Sequence, residues 1–173
     1  MLITLTGPSG SGKTSLLWKL VNEGVANRIV TTTTREPRKG EREGIDYYFV
    51  AKEDFQKEGM AEYTEFNNNL YGTSKEEIRN AISSDKIYLV ILDRRGAFNL
   101  KEQFPEIKTI YLQVKPKVCK GRLFRRDGLE KGLNRFLADR REGLYNSEGF
   151  DVVVNNNGLN FTEGYENLLS SIK

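Results

Sequence analysis

Residues 7–14 read Gly7-Pro8-Ser9-Gly10-Ser11-Gly12-Lys13-Thr14, and no other stretch of the chain narrows the possible folds so far. The spacing G-x-x-x-x-G-K-[ST] is that of a phosphate-binding loop, which requires a strand before it and a helix after it. Both are readable. Residues 1–6 read as a buried strand that Gly7-Pro8 interrupts, and Leu16, Leu17, Leu20 and Val21 fall on one face of a helix over 13–23. The glycines let backbone N–H groups turn inward around phosphate oxygens with no Cβ in the way. Lys13 brings a charge to the β- and γ-phosphates, and Thr14 offers a hydroxyl to Mg²⁺. The helix behind them adds about half a positive charge at its N-terminus. The expected ligand of residues 7–14 is a nucleoside triphosphate with Mg²⁺.

The remaining pattern alternates strand and helix. Residues 28–33 are β-branched and read as a second strand; residues 46–50 are aromatic and strand-like. Ser74-Lys75-Glu76-Glu77 is a capping box that opens a helix. Residues 87–92 form a continuous apolar run closed by Asp93, as in a strand buried on both faces, which makes Asp93 a candidate to orient metal-bound water or a substrate base. Residues 107–114 read as another strand, Pro116 suits the first turn of a helix, residues 129–145 read as helical, and residues 151–154 as a short strand. Asn160, three residues before Glu163, reads as the start of a terminal helix. Such alternation predicts a parallel sheet covered on both faces. Residues 35–73 interrupt it and read as an inserted substrate lobe.

Composition removes several classes of chemistry. The chain has no histidine and one cysteine, Cys119, so catalysis by histidine, an intrachain disulfide and a cysteine-built zinc site are excluded. No apolar run approaches the roughly 20 residues of a membrane-spanning helix, and residues 2–5 are too short for a secretory leader. The expectation is a cytoplasmic protein with no membrane partner. The net charge of +3 is unevenly spread: residues 115–142 carry ten basic and four acidic residues, a net +6, which leaves −3 for the rest. A short positive segment on a near-neutral body suits a polyphosphate better than a nucleic-acid duplex.

Beyond the phosphate loop, the run Thr31-Thr32-Thr33-Thr34-Arg35-Glu36-Pro37-Arg38-Lys39-Gly40-Glu41, followed by Gly44-Ile45-Asp46-Tyr47-Tyr48-Phe49, by Glu62, and by Leu70-Tyr71-Gly72-Thr73, resembles the substrate lobe of guanylate kinases. The resemblance spans nearly the whole chain. It implies an α/β, P-loop nucleoside-monophosphate-kinase fold, with a core from 1–33, 80–115 and 146–173, a GMP-binding lobe over about 34–79 and a helical lid over about 116–145. It implies transfer of a phosphoryl group from Mg·ATP to GMP, or to dGMP, giving ADP and the nucleoside diphosphate. It places the acceptor phosphate on Arg35, Arg38, Tyr47 and Tyr71, and the base on Thr31, Glu62, Thr73 and Asp93. The chemistry is consistent with those residue types. Arginine donates two parallel bonds to phosphate, and a carboxylate such as Glu62 accepts from guanine N1–H and N2–H together, a donor pair adenine lacks.

Arg122, Arg125 and Arg126 share one helical face. With Arg135 and Glu142 they resemble the lid of the same family, so Lys13, Arg122, Arg126 and Arg135 are the expected electrostatic set for transfer. The resemblance also brings Asn155 near the adenine. The expected assembly is a monomer or homodimer.

Four features depart from the family pattern. Ile91 stands where an acid is usual, Arg95 where glutamine is usual, Arg126-Asp127 where Arg-Gly is usual, and the acid-rich stretch between the lid arginines is shorter by about two residues. Arg95 is expected either to pair with Asp93 or to add a phosphate contact. Two other readings are a P-loop kinase for a different phosphorylated small molecule, such as a ribose bisphosphate or deoxynucleotide, and a catalytically silent guanylate-kinase-like binding module. Glu62, Thr31 and Thr73 argue against a base-free substrate, and the intact Gly12-Lys13 against a silent module.

Overall fold

The computed structural model describes residues 1–157 and 161–172. In chain order its strands and helices are β1 (Leu2–Thr6), α1 (Lys13–Asn22), β2 (Asn27–Arg28), β3 (Thr32–Thr33), β4 (Tyr48–Phe49), β5 (Met60–Phe66), β6 (Asn69–Ser74), α2 (Lys75–Ile82), β7 (Tyr88–Ile91), α3 (Arg94–Gln103), β8 (Lys108–Gln113), α4 (Pro116–Asp127), α5 (Leu129–Arg141), β9 (Val152–Asn155) and α6 (Phe161–Ile172). Five strands form one sheet in the order β2-β7-β1-β8-β9. All its pairings are parallel, so every connection must cross a face of the sheet.

Those crossings bury both faces. On one, Leu16, Leu17 and Leu20 of α1 meet Tyr165, Leu168 and Ile172 of α6 over Ile3, Leu5, Ile110 and Leu112. On the other, Ile78 and Ala81 of α2 and Ala97 and Leu100 of α3 cover Leu2, Val90 and Leu92. Each fully buried leucine contributes about 2 kcal/mol, which fixes α1, and with it the loop that precedes α1, against the central strand. The α/β class and the parallel core match the expectation.

A second sheet, in the order β4-β3-β6-β5, stands apart from the first. Its β5–β6 hairpin turns at Asn67 and Asn68, both in the left-handed region with φ of 51° and 62°, a conformation asparagine tolerates. Neither the hairpin nor α3 is anticipated by the sequence reading. Residues 28–33, expected as one strand, are two: Arg28 pairs with Leu89 in the core sheet, whereas Thr32 pairs with Gly72 in the second. Residues 29–31 carry the chain from one sheet to the other. The helix expected over 129–145 ends at Arg141, and Gly143 follows with φ +66°. Ser74 caps α2 as expected, accepting from Glu76 N at 3.1 Å, while the start expected at Asn160 lies outside the described residues. Among the described residues, no helix is long and apolar enough to cross a membrane.

Candidate nucleotide site

The loop at 7–14 joins the end of β1 to α1. Gly7, Gly10 and Gly12 have φ of +153°, +78° and +97°. A Cβ on Gly7 would lie 2.7 Å from the Leu112 carbonyl oxygen, and one on Gly10 would lie 3.0 Å from that of Cys119, so these positions need glycine for space as well as for φ. Gly12 caps α1 without a side-chain hydrogen bond. The first-turn N–H groups of α1, which no helix can satisfy internally, are therefore left for a ligand. Thr14 lies exposed in that turn.

Lys13 is folded onto its own loop. Its ammonium donates to Gly7 O at 2.6 Å and to Pro8 O at 2.9 Å. Enclosure by the loop lowers its pKa to about 8, against a favourable pull from Asp139 and with further lowering from Arg135. Asp139, on α5 and fully buried, accepts from Ser9 N at 2.5 Å and Ser9 Oγ at 3.1 Å. Arg135, one turn earlier, donates to Ser9 Oγ at 2.9 Å. Arg122, on α4, donates to Gly10 O at 3.1 Å and Ser11 O at 3.3 Å. Helices α4 and α5 thus hold the loop at 7–14 directly. Asn155 sits exposed at the end of β9 with its Oδ1 accepting from Asn157 N; its neighbour Asn156 is the one that reaches the loop, donating to Ser11 O at 2.7 Å. Neither Asp139 nor Asn156 stands out in the sequence, because their partners lie 130 and 145 residues away.

From this loop a cleft runs to the second sheet, lined by Lys13, Thr31, Tyr47, Glu62, Tyr71 and Asp93 among others. At its far end Glu62 is 5% exposed and accepts from Thr73 Oγ1 at 2.6 Å. Burial pushes the Glu62 carboxyl up to about 7; the Thr73 hydrogen bond opposes this and the Asp93 charge adds to it. Asp93 caps α3, accepting from Gly96 N at 2.8 Å. Among the described residues Arg95 is exposed and no ion pair joins it to Asp93, so the pairing alternative drops away. Ile91 lines the cleft wall near the loop, where the family pattern has an acid.

Tyr47 and Tyr71 meet edge to face, centroids 6.3 Å apart. Arg35 lies 5.3 Å from the Tyr47 ring centre, and its guanidinium donates to both carboxylate oxygens of Glu41 at 2.9 Å. Arg126 is held differently: its Nε and Nη2 donate in parallel to the two carboxylate oxygens of Asp127, at 2.8 and 2.7 Å. For the Arg38 guanidinium there is no hydrogen bond or ion pair among the described residues. Crowding by protein atoms, then the cations Arg35, Arg135 and Arg126, lower its pKa. Arg38, Lys39, Arg126, Lys131, Arg135 and Arg140 face a second, open cleft between residues 38–39 and helices α4 and α5. Arg135 borders both clefts.

A divalent cation fits this setting in one way. Among the described residues no group of three acidic or cysteine side chains could cage a metal. Mg²⁺ is commonly held by few protein ligands and by substrate phosphates and water, and Thr14 at the helix start meets that requirement.

The family model described as guanylate kinase matches residues 1–173. The guanylate kinase of Homo sapiens is 37% identical over 186 aligned positions, covering 99% of this chain and 93% of the human protein. That of Sus scrofa is 36% identical over 170 positions, covering 91% and 85%. Among solved structures, a crystal structure of guanylate kinase from Anaplasma phagocytophilum matches with a TM-score of 0.75 at 25% identity, covering 99% of this chain and 85% of that one.

Proposed function

The chain belongs to the guanylate kinase family, and we propose that it transfers the γ-phosphoryl group of Mg·ATP to GMP or dGMP, giving ADP and the nucleoside diphosphate. The observation that carries this reading is the buried Glu62–Thr73 pair at the end of a cleft that begins at Lys13. Guanine supplies the two N–H donors a buried carboxylate needs. Any base without them leaves Glu62 desolvated with only the Thr73 hydroxyl donating to it, a mismatch worth about 10⁴-fold in selectivity. Thr73, hydrogen-bonded to that carboxylate, and Thr31, which lines the same cleft, would meet O6 or N7, with Asp93 at the start of α3 on the base as well.

The core (1–33, 80–115, 146–173), the lobe (about 34–79) and the lid (about 116–145) then each have a task. The lobe holds the acceptor phosphate with Arg35, Arg38, Tyr47 and Tyr71. The loop at 7–14 holds the donor phosphates, with Asn155 near the adenine. Lys13, Arg122, Arg126 and Arg135 stabilise charge on the transferring oxygens. Mg²⁺, held by Thr14 and the triphosphate, would neutralise part of that charge. The acceptor phosphate is itself an anionic nucleophile, so no side chain has to remove a proton. Catalysis is in-line positioning inside a cleft that excludes water.

A coupled assay measuring ADP with ATP, Mg²⁺ and each monophosphate in turn tests the reading. Turnover is expected with GMP and dGMP, and far less with AMP, CMP or UMP. A flat response to GMP at millimolar concentration would sink it. The base pocket has its own test. A Cβ on Gly96 would lie 2.5 Å from Glu62 Oε2, so Gly96→Ala must displace that carboxylate. The expected result is a loss of about 10²-fold in kcat/KM for GMP with KM for ATP unchanged. An equal rise in both KM values would mean that the alanine had loosened the fold rather than the pocket.

A further inference from the structure

Arg28 ends β2, and its side chain is only 9% exposed. A cation at that depth needs partners, and those it has come from two parts of the molecule. Its Nη2 donates to the Asp46 main-chain carbonyl, and its Nη1 lies 3.7 Å from Asp46 Oδ1. The guanidinium carbon is 5.2 Å from the ring centre of Trp18 and 5.8 Å from that of Tyr47. Nη1 is buried without a hydrogen bond among the described residues, so stacking and the Asp46 charge hold the group rather than a full set of hydrogen bonds. Trp18 belongs to α1, the helix that leaves the phosphate loop, and packs against the core under the sheet. Asp46 and Tyr47 belong to the lobe. Asp46 is itself fixed, its Oδ2 accepting from Arg42 N at 2.9 Å. Arg28 is thus where the rigid core touches the ring of a residue assigned to the acceptor phosphate.

We propose that Arg28 is a positioning residue that fixes the Tyr47 ring, and so its hydroxyl, at the acceptor-phosphate site, with Trp18 as the rigid surface behind it. The inference rests on the reading of the cleft as an ATP:GMP site. It assigns Arg28 no contact with substrate. A ring–cation–ring bridge of this kind acts on one substrate only, because Tyr47 lines the acceptor cleft while Trp18 packs against the core.

The test compares wild type, Arg28→Lys, Arg28→Met, Tyr47→Phe and the Arg28→Met/Tyr47→Phe double variant in steady state, varying GMP and ATP separately, with a thermal melt of each. Arg28→Met is expected to raise KM for GMP about tenfold while KM for ATP stays within about twofold. In the Tyr47→Phe background, where no hydroxyl remains to be placed, the same change should cost less than about threefold. Arg28→Lys keeps the charge without the planar stack and should lie between wild type and Arg28→Met; it decides the matter should Arg28→Met fail to fold. Equal rises in both KM values, or effects of Arg28→Met and Tyr47→Phe that simply multiply, overturn the proposal while leaving the enzyme a guanylate kinase. Absence of GMP turnover in the wild type overturns the acceptor reading and this inference with it.

Discussion

Glu62→Gln is expected to lower kcat/KM for GMP by about 10³-fold and, at the same time, to make the empty protein more stable above neutral pH. Both effects come from one burial. The carboxylate accepts from Thr73 and has little contact with water, so its charge is useful only when guanine donates to it. The amide of glutamine would turn one acceptor into a donor and set it against the base's own N–H groups. The stability effect has the opposite sign. The folded-state pKa of Glu62 is raised from 4.5 to about 7, so its contribution to stability is fully present below the unfolded value and is lost as pH rises through 7. Glutamine does not ionise and escapes that loss, which amounts to about 1–3 kcal/mol at pH 8. Melts at about pH 4 and pH 8 separate the cases: the variant should gain several degrees over wild type at the higher pH and little at the lower one. A variant less stable than wild type at both would refute the assignment of Glu62 as a strained, ligand-awaiting carboxylate. Below pH 7 the wild type should also show a rising KM for GMP, as the protonated carboxyl stops accepting.

Lys13→Met should reduce kcat by about 10³-fold with the fold intact. Methionine has similar reach and no charge, and the loop carbonyls that Lys13 engages, Gly7 O and Pro8 O, face solvent or ligand once the ammonium is gone. Because enclosure lowers the Lys13 pKa to about 8, the empty site has lost half of this charge at about that pH and loses the rest above it, and the phosphates of ATP draw the proton back. KM for ATP is therefore expected to rise on the alkaline side in the wild type and to stay flat there in Lys13→Met. A kcat within tenfold of wild type would remove Lys13 from the transfer step.

What the sequence discloses depends on how local each signal is. The loop at 7–14 is legible in full because glycine, lysine and threonine act through neighbouring backbone. Strand β7 is legible because burial on both faces leaves a continuous apolar run, and β1 and β8 because buried threonines are all that interrupt theirs between the strand ends. The transfer of the chain between sheets at residues 29–31 is hidden, since β-branched residues suit either sheet equally. The Asn67-Asn68 turn carries a hairpin signal, but β5 alternates Glu62, Thr64 and Phe66 with residues that face the solvent or the core, so no simple apolar period marks it. Helix α3 begins with two arginines and a glycine and has no strong apolar face until Ala97 and Leu100. At the site, residue types that meet the ligand can be read from their motif. Those that hold the motif in place, Asp139, Asn156 and Arg28, become visible only when distant segments are brought together.

The paired carboxylates of the lobe and lid change what kind of event nucleotide binding is. Glu41 already grips Arg35, and Asp127 already grips Arg126. Asp127 takes the Nε–Nη2 edge of Arg126 and Glu41 takes Nη2 of Arg35, donors that a phosphate could otherwise engage. On the proposed reading, a substrate phosphate would reach these two arginines by anion exchange, with a tethered carboxylate as the leaving ion. Each tethered carboxylate competes at high local concentration, and only a ligand that engages several of these forks at once can displace them together.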